Sequence, residues 1–117
     1  MKKLAQCAAT AAIGLALVVP TTAHADWFSC EANEVLEFST RVHVRCSNTV
    51  TLGTDTIRFL AIAKDSAPKT DRFTRVGMAA MLSGKRFVVW IPASSSSNAP
   101  GCLARDCRTP TTFGIKN

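Results

Sequence analysis

The chain is 117 residues long, with fourteen Lys and Arg against eight Asp and Glu, and 47% of its residues are hydrophobic. That length excludes a second full domain beside a leader, and a core this small is marginally stable unless it is stapled. The excess of base suits anionic partners such as glycans, nucleic acid or lipid headgroups, or simply a charged, solvated surface.

Met1-Lys2-Lys3 opens the chain, and residues 4–19 form an apolar run diluted only by Gln6, Thr10 and Gly14. Pro20 breaks the run, and Ala23-His24-Ala25 has the small-x-small pattern that signal peptidase reads. Residues 1–25 are therefore expected to be an export signal cleaved after Ala25. Residues 26–117 then remain as one domain, in the periplasm or outside the cell. The run is too short and too rich in alanine for a membrane span, so none is expected after cleavage. Cys7 lies inside the run and not at a cleavage point, which argues against a lipoprotein. Without Lys2 and Lys3 the domain keeps twelve bases against eight acids. Asp26, Glu31, Glu34 and Glu37 precede every base of that domain, and Glu31, Glu34 and Glu37 read as a solvated entry segment. The bases begin at Arg41.

Four cysteines remain after cleavage: Cys30, Cys46, Cys102 and Cys107. An even count in a small exported domain predicts two disulfides, with three possible pairings. Cys102 and Cys107 are close in sequence, around Pro100-Gly101 and Asp106, so a local bridge is favoured, leaving Cys30 with Cys46. Zinc is not expected, because the spacings match no finger and His43 is the only histidine outside the leader.

In residues 35–46, Val42, Val44 and Cys46 point one way and Arg41, His43 and Arg45 the other, the alternation of a half-buried strand. Ser47-Asn48 reads as a turn, residues 50–52 as a short extended piece, and Gly53-Thr54-Asp55 as a second turn. Residues 57–63 are almost continuously apolar and predict a central strand covered on both faces. A break at residues 65–69, with Pro68, precedes a helix over 70–83. Thr70 or Asp71 would cap it, and Phe73, Val76, Gly77, Ala80 and Met81 would form its apolar stripe. Gly84 ends it, and Lys85 favours its dipole. Residues 86–91 form the next strand, 92–107 a long loop pinned by the local bridge, and 111–116 a final strand.

The expected fold is thus mainly β with one α-helix: an OB-fold-like, five-stranded, disulfide-stapled barrel with the helix between strands 3 and 4. In that fold the loops between strands 1–2 and 4–5 carry binding. Nothing predicts catalysis or a cofactor. One histidine and four oxidised cysteines leave no Cys–His pair, and no glycine-rich phosphate loop occurs. His43 reads as an exposed strand residue. Nucleic acid is disfavoured: most of the aromatics fall on phases that the core needs, and base stacking wants them outside.

Three stretches carry a resemblance: Arg58-Phe59-Leu60-Ala61-Ile62-Ala63, the helix end Ala79-Ala80-Met81-Leu82-Ser83-Gly84-Lys85, and Phe87-Val88-Val89-Trp90-Ile91. With the close Cys102/Cys107 pair, they resemble the binding subunits of subtilase cytotoxin and typhoid toxin over residues 38–117. They resemble more closely a broad set of small exported proteins of Gram-negative bacteria. The resemblance implies an OB-fold, a ring homopentamer whose helices line a pore, a toxin A-subunit partner and an outer face for sialylated glycans. In such a ring Gly77, Ala79 and Ala80 would let neighbouring helices approach. It also implies a sugar-acid contact at the serine after a phenylalanine, which Phe38-Ser39-Thr40-Arg41-Val42 matches at Ser39. Arg41 and Arg45 would serve a carboxylate as planar bidentate donors. The chain has no tyrosine, a residue that the toxin sites also use, and Cys30 stands outside their pattern. The functional expectation is a non-catalytic, toxin B-subunit-like module for a glycan or other anionic ligand. The alternatives are a periplasmic interaction or inhibitor module without a sugar site, and an exported OB domain that binds nucleic acid.

Overall fold

A computed structural model describes residues 25–117. The segment expected to be an export signal, Cys7 included, lies outside the described residues apart from Ala25. Seven strands and one helix follow in order: β1 (Asp26–Cys30), β2 (Ala32–Glu37), β3 (Arg41–Leu52), β4 (Asp55–Ala63), α1 (Ala67–Ser83), β5 (Arg86–Ile91), β6 (Cys107–Arg108) and β7 (Thr112–Lys116).

The domain is mainly β with one helix and two disulfides, as expected, but the closed five-stranded barrel is not formed. The strands make a three-stranded sheet, β1-β5-β7, and a four-stranded sheet, β2-β3-β4-β6. Only the β4–β6 pair is parallel. The two sheets share chain at two places: Glu31 alone separates β1 from β2, and residues 109–111 separate β6 from β7.

Three local features explain the departures. The strand expected over 35–46 is cut by a turn in which the Phe38 N–H donates to the Arg41 carbonyl at 2.7 Å. Residues 26–30, for which no element was expected, form a strand because Phe28 and Cys30 alternate into the core. The turn expected at Ser47-Asn48 is absorbed into β3 as a register shift between Arg45 and Val50. Asn48 spends its amide between the sheets instead: Nδ2 donates to the Ser29 carbonyl and Oδ1 accepts from the Glu31 N–H, both at 2.8 Å. A side chain of β3 thus ties down the end of β1, a strand of the other sheet with which β3 does not pair.

The helix starts at Ala67, earlier than expected, because Pro68 falls in the first turn, where its missing N–H leaves nothing unsatisfied. Ser66, in extended backbone, is the N-cap residue. Thr70 and Asp71 lie inside the helix, where Asp71 pairs with Arg75. Gly84 ends it in the left-handed conformation, φ 72°. Its stripe packs on both sheets. A Cβ at Gly77 would lie 2.8 Å from Val44 Cγ2 and 3.6 Å from Val35 Cγ2, so the helix sits this close only because that Cβ is absent. Phe73 stacks edge-on against Phe87 of β5 and Phe113 of β7. Gly77 and Ala80 are therefore used in the protein's own core, while Ala79 is exposed.

Cys30–Cys46 joins β1 to β3 in the middle of this core, staple to both sheets at once. Cys102–Cys107 closes the end of the long loop. That loop explains the double burial of β4. Ile57, Leu60 and Ile62 face the core, while Ala61 packs outward under Ala99, Cys102 and Cys107.

Candidate ligand-binding face

The outer face of β3 and β4 carries alternate residues away from the core. His43 stands in its centre, paired across β3–β4 with Ala61. Its ring lies 5.0 Å from the Phe38 ring and 5.1 Å from the Phe59 ring, and its Nε2 hydrogen-bonds Glu34 Oε1 at 3.0 Å. The side chain is only 12% exposed, which corrects the expectation of an exposed strand histidine. The cover comes from Glu34 of β2 and Phe59 of β4, which strand pairing brings together, and from Phe38 in the β2–β3 turn. Glu34 itself was read as part of a solvated lead-in, and it proves to be the partner of His43.

Arg41 occupies the start of β3. Its guanidinium lies 4.0 Å from the centre of the Phe38 ring, and its Nη1 donates to the Pro100 carbonyl at 3.4 Å. Gly101 has φ +81°, a backbone conformation that favours glycine, and a Cβ there would push the Arg41 guanidinium from its place. Arg41, His43, Phe59, Gly101, Leu103 and Asp106, with Cys107, line a cleft of about 200 Å³.

The loop wall of this cleft is held by many bonds. Asn98 Nδ2 donates to the Cys102 and Cys107 carbonyls, both at 3.2 Å, and its Oδ1 accepts from the Thr109 N–H at 3.1 Å. The Asp106 carbonyl accepts from the Arg58 and Phe59 N–H groups at 3.0 Å. Arg108 is buried and anchors the base. Its Nη2 donates to Asp55 Oδ2 at 2.8 Å, and Nη1 donates to the Ala104 carbonyl. Its Nε has no hydrogen-bond partner among the described residues.

Of the three residues expected to contact ligand, Arg41 alone lines the cleft. Arg45 is exposed on the same strand face, opposite Phe59 of β4 and Glu34 of β2. Ser39 is exposed in the β2–β3 turn. Sequence reasoning missed Glu34, His43, Phe59 and Gly101 as site residues. A Pro-Gly pair beside a cysteine was the one local signal for the last of them. Among the described residues, no group of three or more His, Cys, Asp or Glu is placed to hold a metal ion, and no helix is long and apolar enough to cross a membrane. No protein-family model, no curated protein and no solved structure matches this chain.

Proposed function

We propose that residues 26–117 are an exported, non-catalytic binding module of OB-fold kind, toxin B-subunit-like, that holds a glycan or other anionic ligand on the β3–β4 face. Joined as β1/β2 and β6/β7, the seven strands reduce to five segments with the helix after the third. That order matches a partly open Greek-key barrel, whose ligand face lies between its first and fourth connections. Here those connections are residues 38–40 and 92–106. The observation that carries the reading is their meeting: Arg41, at the end of the first, hydrogen-bonds Pro100 of the second across 59 residues of sequence. A guanidinium held over an aromatic ring keeps its remaining N–H groups aimed at one place, which suits a carboxylate or phosphate.

Five-fold assembly with an enzymatic partner belongs to the same proposal. Met78 and Leu82, 42% and 76% exposed on α1, support a helix face that meets another copy. The second reading is a protein partner without a sugar site, favoured by Leu103, 55% exposed at the rim of the cleft.

The test uses the oxidised protein purified from periplasm. Sedimentation measures its size, and an array of sialylated and other acidic glycans measures retention. Retention is expected, with Arg41→Ala weakening it at least tenfold, the scale of one charged hydrogen bond. A protein that ignores every acidic glycan, or one that binds equally well as Arg41→Ala, overturns the assignment.

A further inference from the structure

The opposite side of the molecule is built differently. On the outer face of β1-β5-β7 the pairing places residues in three rows: Trp27, Trp90 and Thr112; then Ser29, Val88 and Gly114; then Arg86 and Lys116. Trp27 is 57% exposed, and its ring lies 5.1 Å from that of Trp90 at 64°. The middle row is small. A Cβ at Gly114 would meet no atom within 4 Å, so this strand glycine leaves open space where a side chain would fit. In the last row Glu31 Oε2 takes Arg86 Nη1 at 2.9 Å, and Lys116 forms no ion pair among the described residues. The result is a groove of about 450 Å³ whose lining includes Trp27, Ser29, Val88 and Lys116.

We infer that this groove is a second ligand site, and that its ligand is a carboxylated saccharide. One end offers the exposed Trp27 indole to the apolar C–H side of a sugar ring. The middle offers the Ser29 hydroxyl beside an apolar floor, and the other end offers an ammonium without a partner to a carboxylate. The aromatic row and the basic row are four residues apart along β5, roughly 14 Å, longer than one sugar ring. The volume falls within the range of small-ligand pockets, about 300–1,000 Å³. This site shares no residue with the Arg41 cleft and stands whether or not that cleft binds.

The chain contains two tryptophans, and both lie on this face, so intrinsic fluorescence reports on it selectively. A hyaluronan tetrasaccharide, which alternates uronic acid and amino sugar, is titrated into the oxidised protein alongside its carboxyl-reduced, neutral form. Binding is followed by fluorescence and by calorimetry. A saturable change is expected, about tenfold weaker for the neutral form. Trp27→Ala and Gly114→Leu each weaken binding about tenfold, and Gly114→Leu leaves the melting temperature unchanged because its side chain enters open space. Lys116→Gln matches the loss seen with the neutral form, and Lys116→Arg restores binding. Arg41→Ala leaves every value as it was. The proposal is overturned by no saturable response, by equal affinity for acidic and neutral forms, by unchanged affinity in Gly114→Leu, or by a response confined to anionic phospholipid vesicles.

Discussion

Both regions that matter most here are held by a disulfide, yet the two bridges do different work. Cys30–Cys46 spans the space between the sheets and is surrounded by core side chains, with Cys30 fully buried. Cys102–Cys107 ties the long loop to β6 at the edge of the four-stranded sheet and shapes one wall of the Arg41 cleft. The first decides whether two small sheets stay together. The second decides whether a loop rich in serine keeps one conformation. Removing each in turn separates stability from recognition.

The largest effect is expected from the interior. Cys30→Ala with Cys46→Ala opens a loop with a sequence separation of 16. The chain-entropy estimate for that closure is about 3 kcal/mol. Loss of packing around Cys30 adds to it. For a domain of this size the melting temperature should fall by roughly 15 °C, measured by calorimetry on the oxidised protein. A fall below a few degrees would show that the core holds the sheets together without its staple.

Cys102→Ala with Cys107→Ala follows. Its separation is only 5, so the same estimate gives about 2 kcal/mol. The diagnostic lies elsewhere: proteolysis within residues 92–106 should become fast, and retention on acidic glycans should fall, while the core melts as one unit. A variant that melts lower yet binds normally would break the division between the two bridges.

Gly101→Ala is smaller in stability and sharper in meaning. The left-handed backbone costs an alanine about 1 kcal/mol, and the added methyl would collide with Arg41 Nη1. Arg41 must leave its place over Phe38. Ligand retention should then fall as far as it does in Arg41→Ala, with the melting temperature within several degrees of the parent. Unchanged retention would show that the seated position of Arg41 is not the binding one.

The same contrast between interior and surface explains what sequence could and could not foretell. Val42, Val44 and Cys46 face inward with the period of a strand, and that period is written locally. Gly84 ends the helix for a reason confined to its own backbone. Both disulfide pairings were legible, because one pair is close in sequence and leaves a single partner for each remaining cysteine. The outer face was not legible, because its residues are defined by partners far along the chain. Asn48 carries the signature of a turn, but its amide is engaged by Ser29 and Glu31, nearly twenty residues earlier. His43 reads as exposed until Phe38, Phe59 and Glu34 close around it. Pro68 reads as a break until the helix is seen to begin around it. Most of the aromatics read as core residues, yet Trp27 is exposed, because hydrophobicity alone does not say which side of a strand lies outside.

Ser39 gives the smallest and most specific comparison. It stands exposed in the β2–β3 turn, two residues from an arginine locked against Phe38 and Pro100. An exposed hydroxyl contributes little to the fold, so Ser39→Ala should change stability by less than about 0.5 kcal/mol. Its effect on glycan retention depends on where the ligand sits. A ligand that reaches from the cleft over the turn loses one neutral hydrogen bond, about 1 kcal/mol or roughly fivefold. A ligand confined to the cleft loses nothing. Paired with Arg45→Ala on the far side of His43, the measurement fixes direction. A loss at Ser39 alone runs the ligand along the turn toward residues 98–103. A loss at Arg45 alone runs it down β3, past His43 and Phe59, away from the loop.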